Sequence, residues 1–236
     1  MSDKGRDNTM IVEHVLEVRH EASGTFLDVR GYIADFIQSE EHFLPHWSID
    51  ADVVNFRDDP QKIVKEGAFV GYKSAGYVVL NPETGNYFTD KASAFWKLLL
   101  KNQNYTLPAP TRFGARTKFF VPSPKPFEDI NKVMYEILFT EKARSLFDGS
   151  EQDLMFTVNL KEAGFDVRVL GGPIHKKEAS RYFQFGSDYF EKCGLYLDID
   201  YYKTTDLTQK DVPQLLHTSV DLMWKKAERI AEGLGL

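Results

Sequence analysis

The strongest constraint on this chain is an order of elements that runs twice. Hydrophobic periodicity gives residues 10–104 a strand, a helix, three strands and a helix, and residues 111–236 the same order again. In the first half, "MIVEHVLEVRHE" (10–21) is rich in Val, Ile and Leu and reads as a strand. Phe26, Val29, Ile33, Phe36 and Ile37 then recur at helical spacing, with Ser23 or Thr25 as cap. "HWSIDADVVNF" alternates Trp47, Ile49, Ala51 and Val53 as one strand. "KIVKEGAFVGYKSAGYVVL" follows as two more strands, with a turn near Ser74–Gly76. "TDKASAFWKLLLKNQ" closes the half as a helix capped by Thr89 or Asp90.

A proline-bearing link, "YTLPAP" (105–110), separates the halves. The second half opens with the strand "RFGARTKFFVP" and a helix, "PFEDINKVMYEILF", with Pro126 near its first turn. A short extra helix, "TEKARSLF", precedes the strands "DLMFTVNLKE", "GFDVRVLGG" and "GLYLDIDYY". The chain ends in a long helix with Val212, Leu216, Val220, Met223 and Ala227 on its inner stripe. Residues 173–193 are less legible and read as a strand or a loop that folds back, and residues 1–9 as a flexible polar tail.

The shared identity of the halves is too low for a literal repeat, but their order is shared. Strands in runs, separated by helices, define an α+β fold. The geometric solution is one continuous antiparallel sheet about a pseudo-twofold, in one compact domain, with helices on one face and the other face open. The duplicated saddle of the TATA-binding protein and the helix-grip folds have this kind of plan. That analogy concerns fold and does not determine function.

The sheet plan gives meaning to "GLYLDIDYY". In each half the last strand is expected beside the first, which sets this strand against "RFGARTKFF". Period-two alternation turns Leu195, Leu197, Ile199 and Tyr201 toward the helices. Tyr196, Asp198, Asp200 and Tyr202 then share the open face with Arg112, Arg116 and Lys118. Three readings follow. The first is a cross-strand ion network that keeps an exposed face solvated. The second is a binding surface on which guanidinium groups grip a carboxylate or phosphate and the aspartates orient them. The third is metal-dependent phosphoryl or nucleotidyl chemistry with Mg²⁺ on Asp198 and Asp200. The third lacks an obvious third acid and a phosphate-binding loop of the G-x-x-x-x-G-K-[ST] kind.

Composition narrows the classes further. Net charge is −6, which disfavours a nucleic-acid-binding saddle. The single cysteine, Cys193, allows no internal disulfide and no multi-cysteine zinc site, and no histidine partner is evident for it as a nucleophile. His42 and His46 stand four apart with Pro45 between them, a poor metal pair. His14 falls on the apolar face of its strand and His217 at the core edge of the last helix. No cofactor is expected. A polar N-terminus and the absence of any membrane-length apolar run suggest a cytoplasmic protein. Residues 173–193 combine basic and aromatic side chains, so His175, Lys176, Lys177, Arg181 and Tyr182 are candidates for a lid or partner loop.

The opening "IVEHVLEVR", the central "RFGARTKFFVP" and the late "GLYLDIDYY" before a long helix resemble a sporadically distributed family of uncharacterised bacterial proteins. The resemblance covers most of the chain in layout. It implies no established activity. Its patchy distribution implies an accessory gene, such as one in a defence or toxin-regulating locus. The function expected from the residues is that of a non-enzymatic binding or regulatory protein. Its open, mixed-charge face would engage a protein partner, a second copy of the chain or a small anionic ligand.

Overall fold

Fifteen elements build the protein in the computed structural model, which describes residues 10–40, 43–59, 65–147, 149–150, 152–184 and 190–236. The first half contains β1 (Ile11–His20), α1 (Gly24–Gln38), β2 (His46–Ile49), β3 (Val53–Arg57), β4 (Glu66–Gly71), β5 (Ser74–Leu80) and α2 (Tyr87–Leu99). The second contains β6 (Pro110–Pro122), α3 (Phe127–Leu138), α4 (Glu141–Arg144), β7 (Phe156–Glu162), β8 (Phe165–Ile174), α5 (Lys176–Tyr182), β9 (Gly194–Lys203) and α6 (Val212–Gly233).

All nine strands join one antiparallel sheet, in the order β2-β3-β4-β5-β1-β6-β9-β8-β7. The fold is therefore α+β. The first strands of the two halves, β1 and β6, meet at the centre, and the last strand of each half, β5 or β9, lies beside its own first strand. The alternation read from the sequence sets the faces. Val12, His14, Leu16 and Val18 of β1, and Phe113, Ala115, Thr117 and Phe119 of β6, are buried under the helices. Aromatic rings fill that layer: Phe119 meets Trp224 of α6 edge-on at 5.0 Å, and Phe95 of α2 packs on Tyr77 at 5.6 Å. His14 belongs to this core, where its ring stacks on Phe88 at 4.8 Å and its Nδ1 lies 2.8 Å from Thr117 Oγ1.

Local chemistry accounts for the departures from expectation. "HWSIDADVVNF" is a hairpin, not one strand. Asp50 N donates to Val53 O at 2.8 Å to close the turn, and Arg30 of α1 donates to the exposed carbonyls of Asp50 and Ala51. The first half therefore has four strands between its helices where three were expected. The β4–β5 turn sits at Tyr72–Lys73, just before the expected position. Ser23 caps α1 by accepting from Phe26 N at 3.4 Å. α2 begins at Tyr87, and Thr89 donates its hydroxyl to Asn86 O in place of capping. The link between the halves is built into the core, with Tyr105 and Leu107 buried and Gln209 donating to Leu107 O and Pro108 O. Residues 1–9 and His42 lie outside the described residues.

Residues 173–184 resolve the least legible stretch. β8 runs on to Ile174, and α5 then crosses the face opposite the other helices. There Ala179, Phe183 and Phe190 pack on Leu80, Phe120, Ile174 and Tyr196 as a second, smaller apolar cluster. The face expected to be open is therefore covered at one end.

Candidate functional site

The uncovered part of that face centres on β6, β9 and β8. Arg116 stands opposite Asp200 and Lys118 opposite Asp198 across the β6–β9 ladder. The ion pairs run diagonally. Arg116 grips Asp198 with two parallel bonds, Nε to Oδ1 at 2.7 Å and Nη2 to Oδ2 at 2.5 Å, and the Tyr196 hydroxyl donates to the same carboxylate at 3.4 Å. Arg112 donates from Nη2 to Asp200 Oδ2 at 3.2 Å, lies 3.7 Å from Glu17 Oε2, and sits 5.0 Å over the Tyr202 ring. Gly114 makes this geometry possible, because a Cβ there would lie 2.6 Å from Arg112 Nη1. The guanidinium occupies the space beside the glycine that a Cβ would fill.

Asp200 is the less satisfied acid. Burial pushes its carboxyl above the usual range, against the opposing pull of Arg112 and Arg116. Burial likewise pushes the Tyr196 phenol above its ordinary value, helped by the adjacent Asp198 charge. Arg168 of β8 stands opposite Asp200 from the other side. The sequence reading overlooked it, although alternation along "GFDVRVLGG" places it on this face. Its side chain is exposed and forms no ion pair with the described residues. Arg116 and Arg168 are two strand spacings apart, about 10 Å.

Lys118 and Tyr196 require correction as members of an accessible face. Lys118 turns away from the aspartates, and its ammonium donates to Glu13 Oε1 at 2.7 Å and to Tyr182 O at 2.8 Å. The second oxygen of Glu13, a buried residue, accepts from Gln184 N at 2.9 Å. This pair fastens α5 and its following residues to the sheet. Tyr182 packs on Tyr196 at 4.6 Å, which buries that ring. Of the candidate lid residues, Lys176, Lys177 and Arg181 are exposed, and His175 stacks on Phe127 at 4.0 Å.

Both oxygens of Asp198 are already taken by Arg116, so a cation there would have to displace the guanidinium. Among the described residues no three metal-capable side chains converge. Cys193 donates its thiol to Lys125 O at 3.1 Å, and burial pushes its pKa up, the reverse of nucleophile activation. His217 is exposed on α6 and not at the core edge. Among the described residues no helix is long and apolar enough to cross a membrane.

Compared with protein-family models, curated proteins and solved structures, the chain matches none.

Proposed function

We propose that the protein is a non-enzymatic binding protein of the cytoplasm. The exposed part of its sheet face receives an anionic group, a carboxylate or phosphate carried by a protein partner or a small ligand. The observation that carries this reading is the row Arg116–Asp200–Arg168. One guanidinium is half exposed, at 47%, the other has no ion-pair partner among the described residues, and both stand level with Asp200 on the strands that flank β9. Arg116 is oriented by Asp198, and a planar fork held in this way is prepared for bidentate capture of a further anion. Arg112, Asp200 and Tyr202 form the adjoining wall, and α5 marks the edge of the surface.

Titration calorimetry at low ionic strength, with citrate, pyrophosphate and a Glu-rich peptide as probes, tests the reading. At least one probe is expected to bind, and Arg168→Ala should weaken it about tenfold. Arg116→Ala should do the same, with melting temperature and circular dichroism close to wild type for Arg168→Ala. Unchanged binding across both substitutions overturns it. Stabilisation by Mg²⁺ that Asp198→Asn abolishes would instead favour phosphoryl chemistry.

A further inference from the structure

A cleft of about 610 Å³ opens on the opposite, helix-bearing side of the sheet, between the segment after α1, the end of β3 and one flank of α2. That size falls among small-molecule sites. Phe43, Leu44, Phe95 and Leu98 supply an apolar wall. Asp58 and Glu66 stand at its sheet end. Asp58 N donates to Glu66 O at 3.2 Å and extends the β3–β4 ladder by one rung, so the two acids are cross-strand neighbours. Like charges so placed repel, and no cation of the described residues forms an ion pair with either.

The two acids are held differently. Glu66 accepts from the Tyr77 hydroxyl at one oxygen and from the Tyr87 hydroxyl, at 2.7 Å, at the other. Burial, reinforced by Glu66 itself, raises both phenols, with Tyr87 pushed up to about 12, so both keep their protons at neutral pH and act as donors. Asp58 Oδ2 accepts from Lys65 N at 3.2 Å, whereas its Oδ1 is buried without a partner. A buried carboxylate oxygen without a donor costs free energy. Along the α2 flank, Lys91, Lys97 and Lys101 line the same cleft, exposed and without ion pairs among the described residues. Among the described residues, one cleft thus presents two acids without an ion-pair partner at one end, three ammonium groups without an ion-pair partner along one side, and an apolar wall between them, with Glu40 also in the lining.

We propose that this cleft binds a small zwitterion of the apolar α-amino-acid class, with its ammonium on Asp58 and Glu66, its carboxylate on the α2 lysines and its side chain on the apolar wall. An ammonium brings three donors and a positive charge, enough to bridge the two carboxylates and to screen the acidic pair. The site is independent of the arginine face across the sheet.

The test is calorimetric titration of the full chain with L-phenylalanine and L-leucine, and with phenethylamine and hydrocinnamate, which lack the carboxylate and the ammonium respectively. L-Phenylalanine should bind saturably, and each half-ligand should bind about tenfold more weakly or worse. Asp58→Asn should weaken phenylalanine and phenethylamine but leave hydrocinnamate unchanged, and Lys97→Gln should weaken phenylalanine and hydrocinnamate but leave phenethylamine unchanged. Asp58→Asn is isosteric, Lys97 is exposed, and both exchanges spare Tyr77, so thermal melting should confirm a retained fold. Failure of both amino acids to bind the wild type at millimolar concentration overturns the proposal. So does a half-ligand that binds as tightly as phenylalanine, or an Asp58→Asn variant with unchanged affinity.

Discussion

At the scale of single residues, the protein's acids make opposite demands on pH. Glu162 has its carboxyl pulled below the usual range by the Tyr201 hydroxyl first and by Lys226 second. A depressed folded pKa gives stability that is present above the unfolded value and lost as pH falls through the folded one. Glu162→Gln should therefore lower the melting temperature near neutrality and lose that deficit in acid, as a pH series of thermal melts would show. Asp200 runs the other way. Burial raises its carboxyl, so its favourable contribution is lost as pH rises through the folded pKa. Asp200→Asn should melt no lower than wild type at neutral pH, with any gain disappearing in acid, because Arg112 keeps Glu17 and Tyr202 as neighbours. Gly114→Val should lower the melting temperature in spite of the gain in β-propensity, since the new side chain takes the space of the Arg112 guanidinium.

At the scale of elements, two devices stand out. The β7–β8 hairpin turns on Ala163 and Gly164, both at positive φ, 50° and 82°. Left-handed backbone is strained for alanine, so Ala163→Gly or Ala163→Asn should raise stability by about 1 kcal/mol in urea denaturation. The second device is the fastening of α5. Replacing Lys118 by Met leaves Glu13 buried without its cation, which should destabilise by about 3 kcal/mol or lift the strap. Faster hydrogen exchange at the Gln184 amide, which Glu13 holds, would report the lifting. These elements were unequally legible in the sequence. The pairing of β6 with β9 and the facing of Arg112, Arg116, Asp198 and Asp200 follow from period-two alternation and the rule that last lies beside first. The β2–β3 turn was hidden because "IDADV" keeps alternating through the reversal. The stretch that forms α5 read as a strand or a loop, and its destination was hidden because its few apolar residues and those just after it, Ala179 and Phe183, signal burial without saying against which face. The diagonal choice of Arg116 for Asp198, and of Lys118 for Glu13, depends on side-chain reach and on the strap. Strand register alone contains neither.

At the scale of the whole molecule, the sheet's centre is its connection. β1 and β6 pair along ten rungs, from Ile11↔Phe120 to His20↔Pro110, and this ladder unites strands contributed by the two halves. The contacts that seal it are remote in sequence, such as His14 to Thr117 across 103 positions and Trp96 Nε1 to Gln209 O across 113. Those separations govern how the chain assembles. Before the seam rewards it, about a hundred residues of loop must close, an entropic cost that should slow folding. The seam also makes the covalent link between the halves dispensable in principle. A chain cut between Gln103 and Asn104, both exposed, should reassemble from its two fragments with a melting temperature that rises with concentration. Each fragment alone would present a long central strand, β1 or β6, as a bare hydrogen-bonding edge. The feature that makes one sheet of two halves therefore also makes each half a template for aggregation until its counterpart arrives.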